Sequence, residues 1–191
     1  MDLPTSATFK EVLCVIKCVL HTKEYGLKVY PTKSVDKIRE LVCFSDSNYA
    51  GDPNTHKSAA GYVLCMKEVP VCCKPKTRHG VTLSSTEAKW IALLEVTKEI
   101  IFVPQLLESL GIKVNLPIIV RIDNIRAIFM SKNINPTSGT QHVDVHTKYV
   151  NQYCKDEIIN VILIKLADNY AGIITKKLNQ EFCNKNSSKL C

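Results

Sequence analysis

The amino-acid sequence predicts an α/β chain built on a five-stranded mixed sheet flanked by helices. Three apolar runs, Leu41–Ser45, Ala60–Cys65 and Val69–Cys73, follow one another with short connections, the pattern of a meander. Two later runs, Ile118–Asp123 and Ile158–Ile164, are each reached through helical stretches, which is how strands join a sheet by crossover. Hydrophobic residues make up 46% of the 191 and charged residues 23%, a composition that forms a core rather than a disordered chain.

The elements follow in order. Val12, Ile16, Val19 and Leu20 form a helical stripe within residues 7–22, ended by Tyr25-Gly26. Residues 1–30 therefore read as a helix apart from the sheet, 31–40 as a polar linker, 41–178 as the sheet domain and 179–191 as a flexible tail. The second and third strands turn at Lys67-Glu68, and a basic loop, Lys74–Gly80, follows. Ser84 opens a long helix striped by Glu87, Ile91, Leu94 and Lys98; Pro104 is expected to break or kink it, with a short helix after it ending at Gly111. Asn124 caps a helix through Ala127 and Met130. Residues 133–139 read as a loop, 142–155 as a helix and 168–178 as a final helix.

No apolar run reaches the roughly 18 residues that a spanning helix needs, so no membrane partner is expected. The N-terminus lacks the basic flank and apolar core of a secretory signal. Nine cysteines without a CxxC pair read as reduced residues of an intracellular protein, with no disulfide partner. His142, His146 and Cys154 lack the second ligand pair of a zinc site. The net charge of +7 suits an anionic partner such as nucleic acid.

Two apolar strands end in an aspartate, Asp46 and Asp123, and the ends of central strands are where sites form in such sheets. Each could instead cap the turn that follows. Glu87 poses a similar choice. With Ser84 it has the spacing of a capping box, yet it lies on the face that must pack on the sheet, where a carboxylate needs a partner or a metal. Three carboxylates suit Mg²⁺ or Mn²⁺, and two such ions about 4 Å apart can activate a water and stabilise the leaving oxygen of a phosphodiester.

The segments FSDSNYAGDPNTHKSAAGYV (44–63), LSSTEAKWIALLEVTKEIIF (83–102), RIDNIRAI (121–128), QHVDVHTKYV (141–150) and YAGIITKKL (170–178) together resemble the ribonuclease H domain of copia-type retrotransposon Pol polyproteins. Residues 4–27 are similar to the helix that joins reverse transcriptase to that domain. The resemblance implies a ribonuclease H-like fold, with the meander antiparallel and the later two strands parallel. It implies endonucleolytic hydrolysis of the RNA strand of an RNA–DNA hybrid, with two Mg²⁺ and a 5′-phosphate left on the RNA product. Reverse transcriptase is the implied ancestral partner, and a retroelement particle in the cytoplasm, or the nucleus, the implied location. Asp46, Glu87 and Asp123 fall on the first three metal-binding acids, and for Glu87 the metal role is favoured over the cap. Lys57, Lys74, Lys76, Arg78 and Asn124 are candidate contacts to the nucleic acid.

The sequence departs from the family pattern where it bears on activity. The fourth acid belongs in an Ala-Asp-(apolar)₂-Thr-Lys motif, which here reads Ala171-Gly172-Ile173-Ile174-Thr175-Lys176. Gly172 offers no ligand, so hydrolysis is expected to be impaired; Asp168, one turn earlier, is a poor substitute. Asn48, Tyr49, Lys89 and Lys148 also replace residues usual in the family, and Pro104 interrupts a helix the family keeps continuous. A catalytically dead nucleic-acid-binding remnant is the alternative reading. A further rival rests on the spacing of Asp123 and Glu157, close to that of the Asp and Glu of integrases.

Overall fold

The computed structural model describes residues 5–21, 23, 38–67, 69–77, 80–132 and 141–176. Helix α1 (Ser6–His21) agrees with the predicted stripe and carries Phe9, Val12, Val15, Ile16, Val19 and Leu20 exposed. Most of the predicted linker, and the 179–191 tail, lie outside the described residues; Ile38–Arg39 (β1) pairs in parallel with Lys113–Val114 (β5), a short two-stranded sheet that the sequence reading did not include.

The main sheet is the predicted one. Its strands are β2 (Leu41–Asn48), β3 (Ala59–Met66), β4 (Val69–Thr77), β6 (Ile118–Ile122) and β7 (Ile159–Leu163), in the order β4-β3-β2-β6-β7. The meander β2-β3-β4 is antiparallel, while β6 runs parallel to both β2 and β7. Strand β2 thus lies at the junction of the two patterns.

Successive side chains of a strand face opposite sides of a sheet, and the two cores follow that rule. Leu41 and Cys43 of β2 join Tyr62, Leu64, Ile118, Val120, Ile122, Ile159 and Val161 in the larger core. Helix α2 (Ser85–Ser109) covers it with Trp90, Leu93, Leu94, Val96 and Ile100, and Val150 of α4 (Gln141–Lys155) adds to it. Burying each such Leu, Ile or Val contributes about 1.5–3 kcal/mol. The alternate residue of β2, Phe44, faces the other way, into a smaller core with Val63, Cys65 and Ala171. The Phe44 and Tyr170 rings lie 4.3 Å apart there, and the Arg121 guanidinium stands 5.3 Å from the Phe44 ring centre.

Two helices differ from expectation. Helix α2 runs through Pro104 without ending, absorbing the short helix predicted after it; Gly111, with φ +76°, follows its end. Proline in a helix interior is unfavourable by about 3 kcal/mol, and here the buried Ile100 before it and Val103 and Leu107 beside it hold the turn against the core. The final helix is reduced to a 3₁₀ turn at Leu166–Asp168 and a single turn, α5 (Gly172–Thr175), because Asn169 interrupts it. Asn169 Nδ2 donates to Ser45 O at 2.9 Å, and its Oδ1 accepts from Ala171 N at 3.2 Å, fastening α5 to β2.

Candidate active site

Asp46 lies near the C-terminal end of β2, and Asp123 directly follows β6. The register pairs Phe44 with Arg121 on these adjacent parallel strands. Two residues further along each strand, Asp46 and Asp123 come level with one another at the carboxyl edge of the sheet. That edge, where the strand pattern changes from antiparallel to parallel, is where open α/β sheets place ligands.

Lysine and threonine from the α5 turn close on the pair. Thr175 Oγ1 donates to Asp46 Oδ2 at 2.6 Å, and Lys176 Nζ lies 2.8 Å from the same oxygen. Lys176 Nζ also lies 3.9 Å from Asp123 Oδ2, so one ammonium group bridges both carboxylates. Gly61 makes this approach possible: a Cβ there would stand 2.9 Å from Ile174 Cδ1 and 3.0 Å from Thr175 Cγ2. From the other side, Lys89 of α2 brings its Nζ to 2.7 Å from Asp123 Oδ1. The approach is an ion pair by distance, although its angle leaves that oxygen without a formed hydrogen bond. The Asp46 and Asp123 side chains are 0% and 4% exposed, so both charges sit in a medium that screens them poorly.

Glu87, for which the family resemblance favours the metal role, is engaged in the helix cap instead. Its backbone N–H donates to Ser84 Oγ at 3.1 Å, and its Oε2 accepts from Leu83 N at 2.7 Å. The carboxylate is therefore engaged at the start of α2 rather than with Asp46 and Asp123. The entry to α2 is pinned in turn by Ser58 Oγ against Thr82 Oγ1 at 2.8 Å and by Tyr49 Oη donating to Leu83 O. Among the described residues, no three His, Cys, Asp or Glu side chains converge on a metal-binding point.

Two aspartates remain as donors for a divalent cation. Asp46 Oδ1 is buried and has no hydrogen-bond partner, an oxygen free to ligate. Gly172 lies beside it, where a Cβ would stand 3.9 Å from Asp46 Oδ2. Hard oxygen ligands fit Mg²⁺ or Mn²⁺, and this pair with open space at Gly172 could hold one such ion, with Glu87 added if it left its cap.

The basic candidates are dispersed. Lys76 and Lys74 of β4 lie on the face covered by α2: Lys76 Nζ pairs with Glu95 at 2.9 Å, and Lys74 pairs with Glu99, which holds the Lys74 ammonium above its usual pKa. Lys76 is level with Ala60, and Pro75 with Gly61, the partner of Asp46. The β4 backbone is thus about 10 Å from that of Asp46, two strand spacings away, and these lysines project from the face opposite to Asp46. Lys57 is half-buried in the loop before β3, and Arg78 lies outside the described residues. Asn124 Oδ1 accepts from Ala127 N at 3.1 Å and caps α3 (Ile125–Lys132).

Glu157 belongs to neither site. It precedes β7 while Asp123 follows β6, and the two strands are parallel, so the residues fall at opposite edges of the sheet. The sequence reading also missed three positioning residues: Asn169, Thr175 and Lys176. Only the Thr-Lys pair of the final motif could have signalled them.

No protein-family model matches the chain. It is 23% identical over 190 residues to the retrovirus-related Pol polyprotein from transposon RE1 of Arabidopsis thaliana, matching 100% of this chain and 13% of that protein. It is 32% identical over 133 residues to the corresponding polyprotein from transposon TNT 1-94 of Nicotiana tabacum, matching 70% of this chain and 10% of that one. The chain therefore spans a small fraction of the length of these relatives. In fold it is similar to LC11-RNase H1, solved in complex with an RNA/DNA hybrid, with a TM-score of 0.52 at 12% identity over 68% of this chain and 88% of that one. It is similar also to the foamy viral protease-reverse transcriptase in complex with RNA/DNA hybrid, with a TM-score of 0.53 at 10% identity over 86% of this chain and 22% of that one. By sequence the chain belongs with the retrovirus-related Pol polyproteins of transposons, and its fold is ribonuclease H-like.

Proposed function

We propose that the chain binds RNA–DNA hybrid across the carboxyl edge of its sheet and hydrolyses the RNA strand with the help of a divalent cation, at a rate limited by the missing fourth acid. The observation that carries this reading is the pairing of Asp46 and Asp123, level on adjacent strands, buried and bridged by one ammonium group. Support for the partner comes from LC11-RNase H1 and the foamy viral enzyme, both solved with a hybrid. Copia-type ancestry, inferred from the LSSTEA and KSAAGY segments, belongs to the same proposal.

Asp46 and Asp123 would hold Mg²⁺ or Mn²⁺. The chemistry supplied there would be Lewis-acid assistance to hydrolysis of the phosphodiester. The chain's own residues do the positioning. Thr175 holds the Asp46 carboxylate, Asn169 fastens the α5 turn to the neighbouring Ser45 carbonyl, and Asp46 is buried. Lys57, Lys74, Lys76, Arg78 and Asn124 would touch phosphates or sugars without reading sequence, the lysines of β4 exchanging a glutamate for a phosphate.

A second reading, binding without turnover, is favoured by a specific observation: two carboxylates are matched by two ammonium groups, and position 172 is a glycine. Purified protein with a labelled hybrid and Mn²⁺ separates the two. Cleavage that Asp123→Asn abolishes supports the enzyme. Hybrid binding seen by fluorescence anisotropy, without cleavage, supports the binding domain. Absence of both removes the nucleic-acid reading.

A further inference from the structure

We propose that Lys89 is a built-in counter-ion that sets the metal affinity of this site: its ammonium group neutralises Asp123 and must be displaced before a divalent cation can bind there. The inference rests on the reading of Asp46 and Asp123 as the cation site.

The charges of these four groups balance. Asp46 and Asp123 supply two negative charges, and Lys89 and Lys176 supply two positive ones. Each aspartate has an ammonium within 3 Å of one oxygen, and both carboxylates are almost wholly buried. A divalent cation is drawn to a carboxylate pair by net negative charge, and in a poorly screened site that attraction changes steeply with each unit of charge. A neutral cluster offers little of it.

The two lysines are not equivalent. Lys176 follows the turn that pins Asp46 and sits between both carboxylates, so it is tied to the backbone that shapes the site. Lys89 approaches from α2 and forms an ion pair with Asp123 alone. The two side chains are similarly exposed, 18% for Lys89 and 24% for Lys176, so what separates them is the number of carboxylates each holds, one against two. Glu87, two residues earlier, is held by Leu83 N and does not compete for this ammonium. Lys89 is therefore the group that a cation would evict, and it acts through Asp123 as a positioning residue rather than as a catalytic one.

The test is Mn²⁺ binding by isothermal titration calorimetry on the full chain, comparing wild type, Lys89→Arg and Lys89→Gln. The expected result is that Lys89→Gln binds Mn²⁺ about tenfold or more tightly than wild type, while Lys89→Arg, which keeps the charge, stays near wild type. If Lys89→Gln fails to fold without metal, Mn²⁺ should restore its cooperative melting transition by replacing the lost charge; a variant still unfolded at saturating Mn²⁺ overturns the proposal. Equal and tight binding by wild type and Lys89→Gln also overturns it, yet leaves the nuclease reading standing. Binding by none of the three proteins removes both.

Discussion

Gly172 lies beside Asp46 with a clear path between them. A Cβ built on the glycine would stand 3.9 Å from Asp46 Oδ2, an ordinary contact, and that oxygen is the nearest atom it would meet. An acidic side chain at 172 would thus add a third carboxylate to the pair without displacing the backbone. Gly172→Asp is expected to raise hybrid cleavage in Mn²⁺ about tenfold or more, equivalent to about 1.4 kcal/mol of transition-state stabilisation. Single-turnover cleavage of a labelled hybrid measures it.

The same buried pair predicts a stability effect. Removing the ammonium of Lys176 leaves Asp46 charged and uncompensated inside the protein, which costs about 3 kcal/mol, the lower part of the range because Lys176 is partly exposed. Urea denaturation of Lys176→Met should show that loss of stability. A midpoint unchanged from wild type would mean that Asp46 finds its balance elsewhere.

Glu87 can be separated into its two roles. Ser84→Ala removes the hydroxyl that accepts from Glu87 N and should lower stability by about 1 kcal/mol. Glu87→Gln keeps an oxygen that can accept from Leu83 N, so its melting temperature should stay near wild type. If Glu87 also ligates during turnover, Glu87→Gln loses cleavage while remaining folded. Thermal melts and cleavage on the same preparations read both.

Gly61 tests the packing behind the site. A methyl group there must displace Ile174 and Thr175, whose nearest atoms would lie at 2.9 and 3.0 Å. Gly61→Ala is expected to lower stability by about 1–3 kcal/mol through overpacking and to loosen the Thr175 bond to Asp46. Chemical denaturation gives the first effect, and the side-chain NMR signals of Thr175 give the second.

The thiols should sort by burial. Desolvation pushes Cys65 and Cys154 up to about 11 and raises Cys43 well above its ordinary value, so all three are neutral thiols at pH 8. Cys14, Cys72 and Cys73 are exposed. Among the six described thiols, iodoacetamide at pH 8 should label Cys14, Cys72 and Cys73 before Cys43, Cys65 and Cys154, as peptide mass spectrometry will show; early labelling of Cys43 or Cys65 would mean that the sheet opens readily.

The sheet was legible because its signals are local. Apolar runs of strand length and short or helical connections gave five strands, and their pairing agrees with the reading. The aspartates were legible for the same reason, as acids interrupting apolar strands. Pro104 misled because propensity describes an isolated helix, whereas Ile100, Val103 and Leu107 anchor this one to a core that no local window contains. Asn169 was invisible because its partner, the carbonyl of Ser45, is 124 residues away along the chain. The pairing of Lys74 and Lys76 with Glu99 and Glu95 was hidden likewise, since strand and helix meet only in three dimensions. For Glu87, the spacing named both roles and the family resemblance favoured the metal, whereas the carboxylate here accepts from Leu83 N at the start of α2.

Cleavage of end-labelled RNA in an RNA–DNA hybrid, by wild-type protein and by Asp46→Asn and Asp123→Asn in the Gly172→Asp background, bears most directly on the paired aspartates. The account predicts Mn²⁺-dependent cutting of the RNA strand in Gly172→Asp protein, lost in either asparagine variant while hybrid binding persists. Cutting that survives both substitutions would place the chemistry elsewhere in the molecule and contradict the account.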